Sequence, residues 1–243
     1  MKALEKLLRI LYPSRCIGCG RIIETESDLC TSCRYRLDEV IIGDDFCCGC
    51  GKPKKHCRCR FKKFEFSGVS APFLYDGVIK NAILSVKVYS NTQPLSFLAD
   101  HMSSHIQTYL GTSFDLITSV PMSKKELARR EFNQSELLAK CIAQRLEIPL
   151  CKDALHKVAD TKPQHTLPMF MRVGNNFGAF DADEYLVNGK NILLIDDIIT
   201  TGNTLNECAK MLRLAGAKSV SCAAAATVIV KSDTEEGEHY AAV

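Results

Sequence analysis

The sequence predicts an α/β protein in which a doubly wound parallel sheet follows a small cysteine-rich module. Three observations carry that expectation. From residue 64 onward, apolar runs of strand length alternate with amphipathic stretches of helical period, the order that packs helices on both faces of a parallel sheet. Two of those runs, residues 116–120 and 191–195, are continuously apolar, as strands covered on both faces must be. Before residue 64, nine of the chain's 13 cysteines crowd between Cys16 and Cys59. The 243 residues divide accordingly into a module at 1–63, an α/β domain at 64–230 and a polar, frayed tail at 231–243.

The elements follow in order. Residues 66–75 read as a strand, and 78–89 as a helix with Ile79, Ala82, Ile83 and Val86 on one face. A helix covers 95–110. The strand at 116–120 ends at Pro121. Residues 134–146 form a helix with Leu137, Leu138, Cys141 and Ile142 apolar. The strand at 191–195 precedes a helix at 204–215 that stops at Gly216, and a last strand begins at 219. The opening MKALEKLLRILYPSRC scatters charges through its apolar positions and has no small-residue cleavage site, which suits a short amphipathic helix better than a signal peptide. The longest apolar runs, such as 220–230, fall short of the roughly 18 residues of a membrane helix. A cytoplasmic protein without membrane insertion is expected, and 46% apolar with 24% charged residues is ordinary for one.

In a chain without an export signal, clustered cysteines point to metal ligands before disulfides. The first four form Cys16-x2-Cys19-x10-Cys30-x2-Cys33. Two residues between thiolates let both sulfurs of a tight turn face one ion, and two such turns complete a tetrahedral zinc site. Gly18 and Gly20 lie within and just after the first turn, where the backbone bends sharply. A closed four-sulfur shell leaves no position for chemistry, so this zinc is structural. In the second group, Cys47-x2-Cys50 repeats the turn with Gly49 and Gly51 in the same places. Its partner pair, Cys57-x-Cys59, is tighter, and His56 is an alternative ligand. Ligands crossing between the groups remain open.

The net charge of +3 hides an asymmetry: residues 1–63 carry 14 Lys/Arg against 8 Asp/Glu, whereas residues 64–243 carry 17 against 20. The basic excess concentrates in Lys52, Lys54, Lys55, Arg58, Arg60, Lys62 and Lys63, with Phe61, Phe64 and Phe66 among and after them. Cations draw a nucleic-acid backbone by counterion release, and aromatic faces stack on unpaired bases. Single-stranded DNA is thus an expected partner of Lys54, Lys55, Arg58, Arg60 and Lys62. The alternative is a solvated basic surface, with Phe64 and Phe66 starting a buried strand.

The most informative stretch is Leu193-Leu194-Ile195-Asp196-Asp197-Ile198-Ile199-Thr200-Thr201-Gly202-Asn203-Thr204. A buried strand ends in two carboxylates, and a Thr/Gly loop then opens a helix. Backbone N–H groups at a helix N-terminus, with threonine hydroxyls, cradle a phosphate, and Gly202 lets it approach closely. Asp196 and Asp197 stand where α/β sheets bind ligands and accept hydrogen bonds from two sugar hydroxyls, directly or through Mg²⁺ waters. Together these describe a sugar-phosphate pocket. No Gly-Lys-Ser/Thr follows the glycine, so this is no Walker A loop. The string resembles the phosphoribosyl diphosphate motif of type I phosphoribosyltransferases. That resemblance implies that Asp196 and Asp197 meet the ribose hydroxyls, and that Thr200, Thr201, Gly202, Asn203 and Thr204 hold the 5′-phosphate. A basic turn after Pro121, with Lys124, Lys125, Arg129 and Arg130 followed by the amides Asn133 and Gln134, suits the pyrophosphate. The long polar connection that includes Thr161, Gln164, Arg172 and Asn176 has the length of an active-site lid.

In this order, the cysteine finger, Val120-Pro121 leading to Arg130-x-Phe132-Asn133-Gln134, Thr161-x2-Gln164-x2-Leu167, Gly178-Ala179-Phe180 and Ile195-Asp196-Asp197-x2-Thr200-Thr201-Gly202 resemble the ComF family. Tyr75, Lys80 and Lys87 fit the segment between finger and fold. The resemblance spans roughly residues 16–230. It implies a type I phosphoribosyltransferase-like protein that handles incoming single-stranded DNA during natural transformation, beside a helicase partner of the competence machinery. Two positions depart from the family pattern: Glu131 stands where glycine is usual, and Asn203 where alanine is. An acid at 131 repels pyrophosphate and restricts the turn. Three functions fit these residues. They are a DNA-handling protein that binds phosphoribosyl diphosphate, an active phosphoribosyltransferase with an unidentified amine or base as acceptor, and a sensor without turnover.

Overall fold

The computed structural model describes residues 13–23, 27–59, 62–89, 91–158 and 179–229. The N-terminal amphipathic stretch, Arg60, Phe61, the polar connection through Gly178 and the tail lie outside these residues.

Five parallel strands form one sheet. Its centre is β6 (Asn191–Ile199), flanked by β3 (Leu116–Ser119) and β7 (Ser219–Thr227). Along the outer side of β7 run β1 (Val69–Ser70) and β2 (Phe73–Leu74), paired through Val69↔Cys222 and Phe73↔Ala226. The single strand expected over 66–75 is therefore two pieces. Pro72 lies between them, has no N–H for a ladder, and uses its carbonyl to accept from Ile42 N at 2.8 Å. Ile41 bridges Phe73 antiparallel, and Leu74 N donates to Val40 O, so residues 40–42 cover the sheet edge.

Side chains of β6 alternate between two cores, as a pleated strand requires. Leu193 and Ile195 face α2 (Gly77–Tyr89), α3 (Gln93–Tyr109) and α5 (Gln134–Leu146). Ile192 and Leu194 face the other way, onto α7 (Asn203–Leu214), which buries Leu205, Cys208, Ala209 and Leu212. That i, i+3, i+4, i+7 spacing is a single helical stripe. The stripe expected on α2 is likewise buried, at Ile79, Ala82, Ile83 and Val86. On α5 the buried stripe is Leu138, Ala139, Ile142 and Ala143, and Leu137 and Cys141 pack at its margin. Asn133 caps α5, its side chain accepting from Ser135 N at 3.1 Å.

Three elements depart from the sequence expectation. The basic turn after Pro121 is a helix, α4 (Lys124–Arg130), begun by a capping box between Ser123 and Glu126. Strands β4 (Leu155–Lys157) and β5 (Phe180–Ala182) form a separate antiparallel pair, followed by the short α6 (Glu184–Val187). Finally, β6 does not stop at the carboxylates. Its pairing with β3 ends at Ser119↔Ile195, but pairing with β7 continues to Ile199↔Thr227. Among the described residues, Asp196 and Asp197 thus lie on a strand paired on one side only.

The chain leaves β3 toward the α5 face of the sheet and leaves β6 toward the α7 face. Adjacent strands whose connections diverge in this way open a crevice at their carboxyl ends, the usual ligand position in such sheets.

Candidate functional site

The crevice holds a cavity of about 360 Å³. Its walls are the segment after β3 (Val120, Pro121, Met122), the start of α5, the end of β6 (Asp196, Asp197, Ile198) and Thr204 of α7. Asp196 Oδ1 accepts from Ser135 Oγ at 3.0 Å and from Asp197 N at 2.9 Å. Burial, and then the neighbouring Asp197, push its carboxyl up to about 7 against those two hydrogen bonds. Burial and Asp197 also raise the Tyr75 hydroxyl, which places Tyr75 within the electrostatic reach of the acidic pair. Lys87 of α2 lines the same cavity.

The residues expected to hold pyrophosphate separate into two positions. Arg130 and Gln134 line the cavity. Gln134 is 3% exposed, and its Nε2 has no hydrogen-bond partner among the described residues. A buried, unpaired donor facing an open cavity is costly unless a ligand or water answers it. Arg129 lies in an adjoining depression beside Lys125, Glu126 and Lys157. Asn133 also lines the cavity, with its amide engaged at the start of α5: Nδ2 donates to Val120 O at 2.9 Å and Oδ1 accepts from Ser135 N at 3.1 Å. Glu131 closes α4 at φ +66°, the left-handed conformation that glycine adopts freely.

Sequence reasoning missed Ser135, Glu126 and Lys157. Lys157 Nζ meets Glu126 Oε2 at 2.9 Å and joins β4 to α4 over the cavity. This lysine, with the Ser123 hydrogen bonds, lowers the Glu126 carboxyl to about 2. No local spacing announces the Ser135–Asp196 and Lys157–Glu126 contacts, which span 61 and 31 residues.

The loop after β6 is the next part. Gly202, at φ +78°, starts α7 without a side-chain cap, and Asn203 N reaches Thr201 Oγ1 at 3.3 Å. Thr200, Thr201 and Gly202 line a second cavity of about 240 Å³, whose opposite wall is the cysteine module. Lys52, Lys55, His56, Arg58 and Lys62 face it. Phe64 and Phe66 stack beside it with ring centroids 4.8 Å apart. Of the residues expected to meet DNA, Lys55, Arg58 and Lys62 are therefore in this cleft. Lys54 pairs with Asp45 at 3.0 Å, and Arg60 lies outside the described residues.

The cysteines form two groups, Cys16–Cys19–Cys30–Cys33 and Cys47–Cys50–Cys57–Cys59, each with its sulfurs within 4.8 Å of one another. A tetrahedral zinc with bonds near 2.3 Å spaces its sulfurs about 3.8 Å apart. The sulfur separations Cys19–Cys30 at 3.8 Å and Cys50–Cys57 at 3.7 Å match, and Cys47–Cys59 at 3.4 Å is close. His56 and Cys48 stand outside both groups. The two turns repeat in detail. Cys16 N donates to Arg21 O and Gly20 N to Cys16 O, and Cys47 N to Lys52 O and Gly51 N to Cys47 O. Gly20 and Gly51 both adopt φ +72°. The ligand set fits the metal.

Residues 7–62 match the family described as double zinc ribbon domain, and residues 133–242 that described as phosphoribosyl transferase domain. The chain is 28% identical to competence protein ComFC of Bacillus subtilis (strain 168) over 82% of this chain and 84% of that protein. It is 36% identical to DNA utilization protein YhgH of Escherichia coli (strain K12) over 44% of this chain and 46% of that protein. Among solved structures, glutamine phosphoribosylpyrophosphate amidotransferase from B. subtilis overlaps 53% of this chain and 25% of that chain, with a TM-score of 0.38 and 21% identity. A type I phosphoribosyltransferase-like sheet behind a double ribbon of structural zinc is thus the class of this molecule. Within that class, the chain is similar over most of its length to the ComFC competence proteins, the ComF family that the sequence motifs resemble.

Proposed function

We propose that the protein binds phosphoribosyl diphosphate with Mg²⁺ in the acidic crevice and handles single-stranded DNA through the second ribbon, in the cytoplasm, during DNA uptake. The observation that carries this reading is the juxtaposition on one loop. Residues 200–204 open α7 between a cavity walled by Asp196 and Asp197 and a cleft walled by cations and phenylalanines. Backbone N–H groups at the start of α7 and the threonine hydroxyls suit the 5′-phosphate. Asp196 and Asp197 accept from the ribose hydroxyls. Arg130 and the unpaired Nε2 of Gln134 answer the diphosphate, whose charge Mg²⁺ shares. The names of the relatives, a competence protein and a DNA utilization protein, support the DNA side of the reading, and a helicase of the uptake machinery is its proposed partner. Binding is favoured over phosphoribosyl transfer because Glu131 brings a carboxylate to the turn beside Arg130 and Asn133 is engaged structurally.

Calorimetric titration with phosphoribosyl diphosphate, with and without Mg²⁺ and single-stranded DNA, tests both halves. We expect Mg²⁺-enhanced binding of the sugar phosphate and DNA affinity that falls steeply with salt. No heat with the sugar phosphate and no salt-sensitive DNA binding would overturn the reading.

A further inference from the structure

The loop at 200–204 is a shared wall. Thr204 belongs to the acidic cavity, whereas Thr200, Thr201 and Gly202 belong to the ribbon cleft. A subsite for the monophosphate of a small ligand needs no exit, but here the phosphate position opens onto further cations. Phe64 stands at that exit: a Cβ on Gly202 would lie 3.9 Å from its ring, and one on Gly49 of the ribbon 3.7 Å. Lys52, Lys55, Arg58 and Lys62 line the same cleft as Phe64. The order from one cavity to the other is therefore hydroxyl acceptors, the phosphate-donor loop, and a cleft that combines an aromatic face with cations.

We propose that this order is a track for the 3′ end of a single DNA strand. The inference rests on the reading above and assigns the DNA to a definite place. The terminal sugar occupies the acidic cavity and donates its free 3′-hydroxyl to the Asp196–Asp197 pair. Its 5′-phosphodiester lies on the 200–204 loop. The preceding base packs against Phe64, and its phosphate meets Lys55, Arg58 and Lys62. Ionised carboxylates accept hydroxyl hydrogens and repel phosphate, so a nucleotide whose 3′ position carries a phosphate is excluded from the cavity. An interior nucleotide is excluded for the same reason. Phosphoribosyl diphosphate uses the same carboxylates and the same loop, so the two ligands compete.

Fluorescence anisotropy with 5′-labelled oligonucleotides, identical except for a 3′-hydroxyl or a 3′-phosphate, tests this on the intact protein. The added phosphate should tighten binding to a merely basic surface. On the track it weakens binding by about tenfold or more, the cost of losing hydrogen bonds to charged acceptors. Phosphoribosyl diphosphate should displace the 3′-hydroxyl strand and leave residual binding of the 3′-phosphate strand unchanged. Equal affinity for the two ends, or no displacement, with salt-sensitive DNA binding intact, overturns the track and leaves the proposed function standing. Absence of DNA binding overturns both.

Discussion

The two ribbons repeat one turn and meet different surroundings. In the first, Cys30 and Cys33 flank the start of α1 (Thr31–Leu37), Cys16 and Cys33 are buried, and the module packs on α2. Asn81 Nδ2 donates to Gly18 O at 2.8 Å, and a Cβ on Gly18 would sit 2.7 Å from Val78. In the second, all four ligands are half-buried, and the turn leans on the sheet end through Val69 N to Cys48 O at 2.8 Å. Its remaining surface forms the cationic wall of a cleft. The same metal-held turn thus serves as part of the core in one place and as a platform beside the site in the other.

The contrast can be broken most forcefully at the ligands. Cys16→Ser should lower the thermal midpoint of the whole protein markedly, because structural zinc contributes on the order of 10 kcal/mol to small ribbons and this one shares the main core. Cys59→Ser should release metal and DNA affinity while leaving most of the sheet's melting transition, read by circular dichroism alongside zinc content. Equivalent glycines give a cleaner comparison. Gly18→Ala should destabilise by about 1–3 kcal/mol through overpacking against Val78. Gly49→Ala meets only ordinary contacts at 3.6 Å and should stay within about 0.5 kcal/mol, both by denaturant melts.

Charge separates the ribbons next. Neutralising Lys55 or Lys62 should reduce the slope of log affinity for DNA against log salt by about 1, whereas neutralising Arg34 on α1 should leave it unchanged. The end of β6 responds to pH instead. Asp196 is raised from 3.8 to about 7 in the folded protein, so the unfolded chain releases this proton first as pH climbs. Stability of the ligand-free protein should fall between about pH 4 and pH 7, and Asp196→Asn should flatten that fall in urea melts. A modest effect is expected at Glu131, which belongs to neither ribbon. Glu131→Gly should stabilise by about 0.5–1 kcal/mol by relieving the left-handed backbone, with DNA affinity unchanged.

Much of this architecture was legible because its signals are local. Continuous apolar runs marked β3 and β6, Asn133 marked the start of α5, and the repeated Cys-x2-Cys-Gly marked each ribbon turn. Helix α4 was missed because KKELARR has no apolar stripe, and its capping box has to be read from Ser123 and Glu126 alone. The β4–β5 pair joins strands on either side of the long polar connection, with exposed His156 facing Asp181 in the ladder. Neither strand alternates over enough residues to announce itself. The site divided along the same line. Asp196, Asp197 and the threonines were evident from their order, but Ser135 reaches Asp196 across 61 positions, and the cleft needs the second ribbon folded against the loop.

The edge contact at residues 40–42 bears on how the molecule is made. These residues lie against 72–74, and β2 is held by β7, whose last paired residue is Thr227. During synthesis from the N-terminus, each ribbon can capture its metal as soon as its own cysteines emerge. Neither can reach its final seat until nearly the whole polypeptide has left the ribosome. A nascent chain arrested before residue 219 would carry two finished knuckles with no sheet edge to rest on.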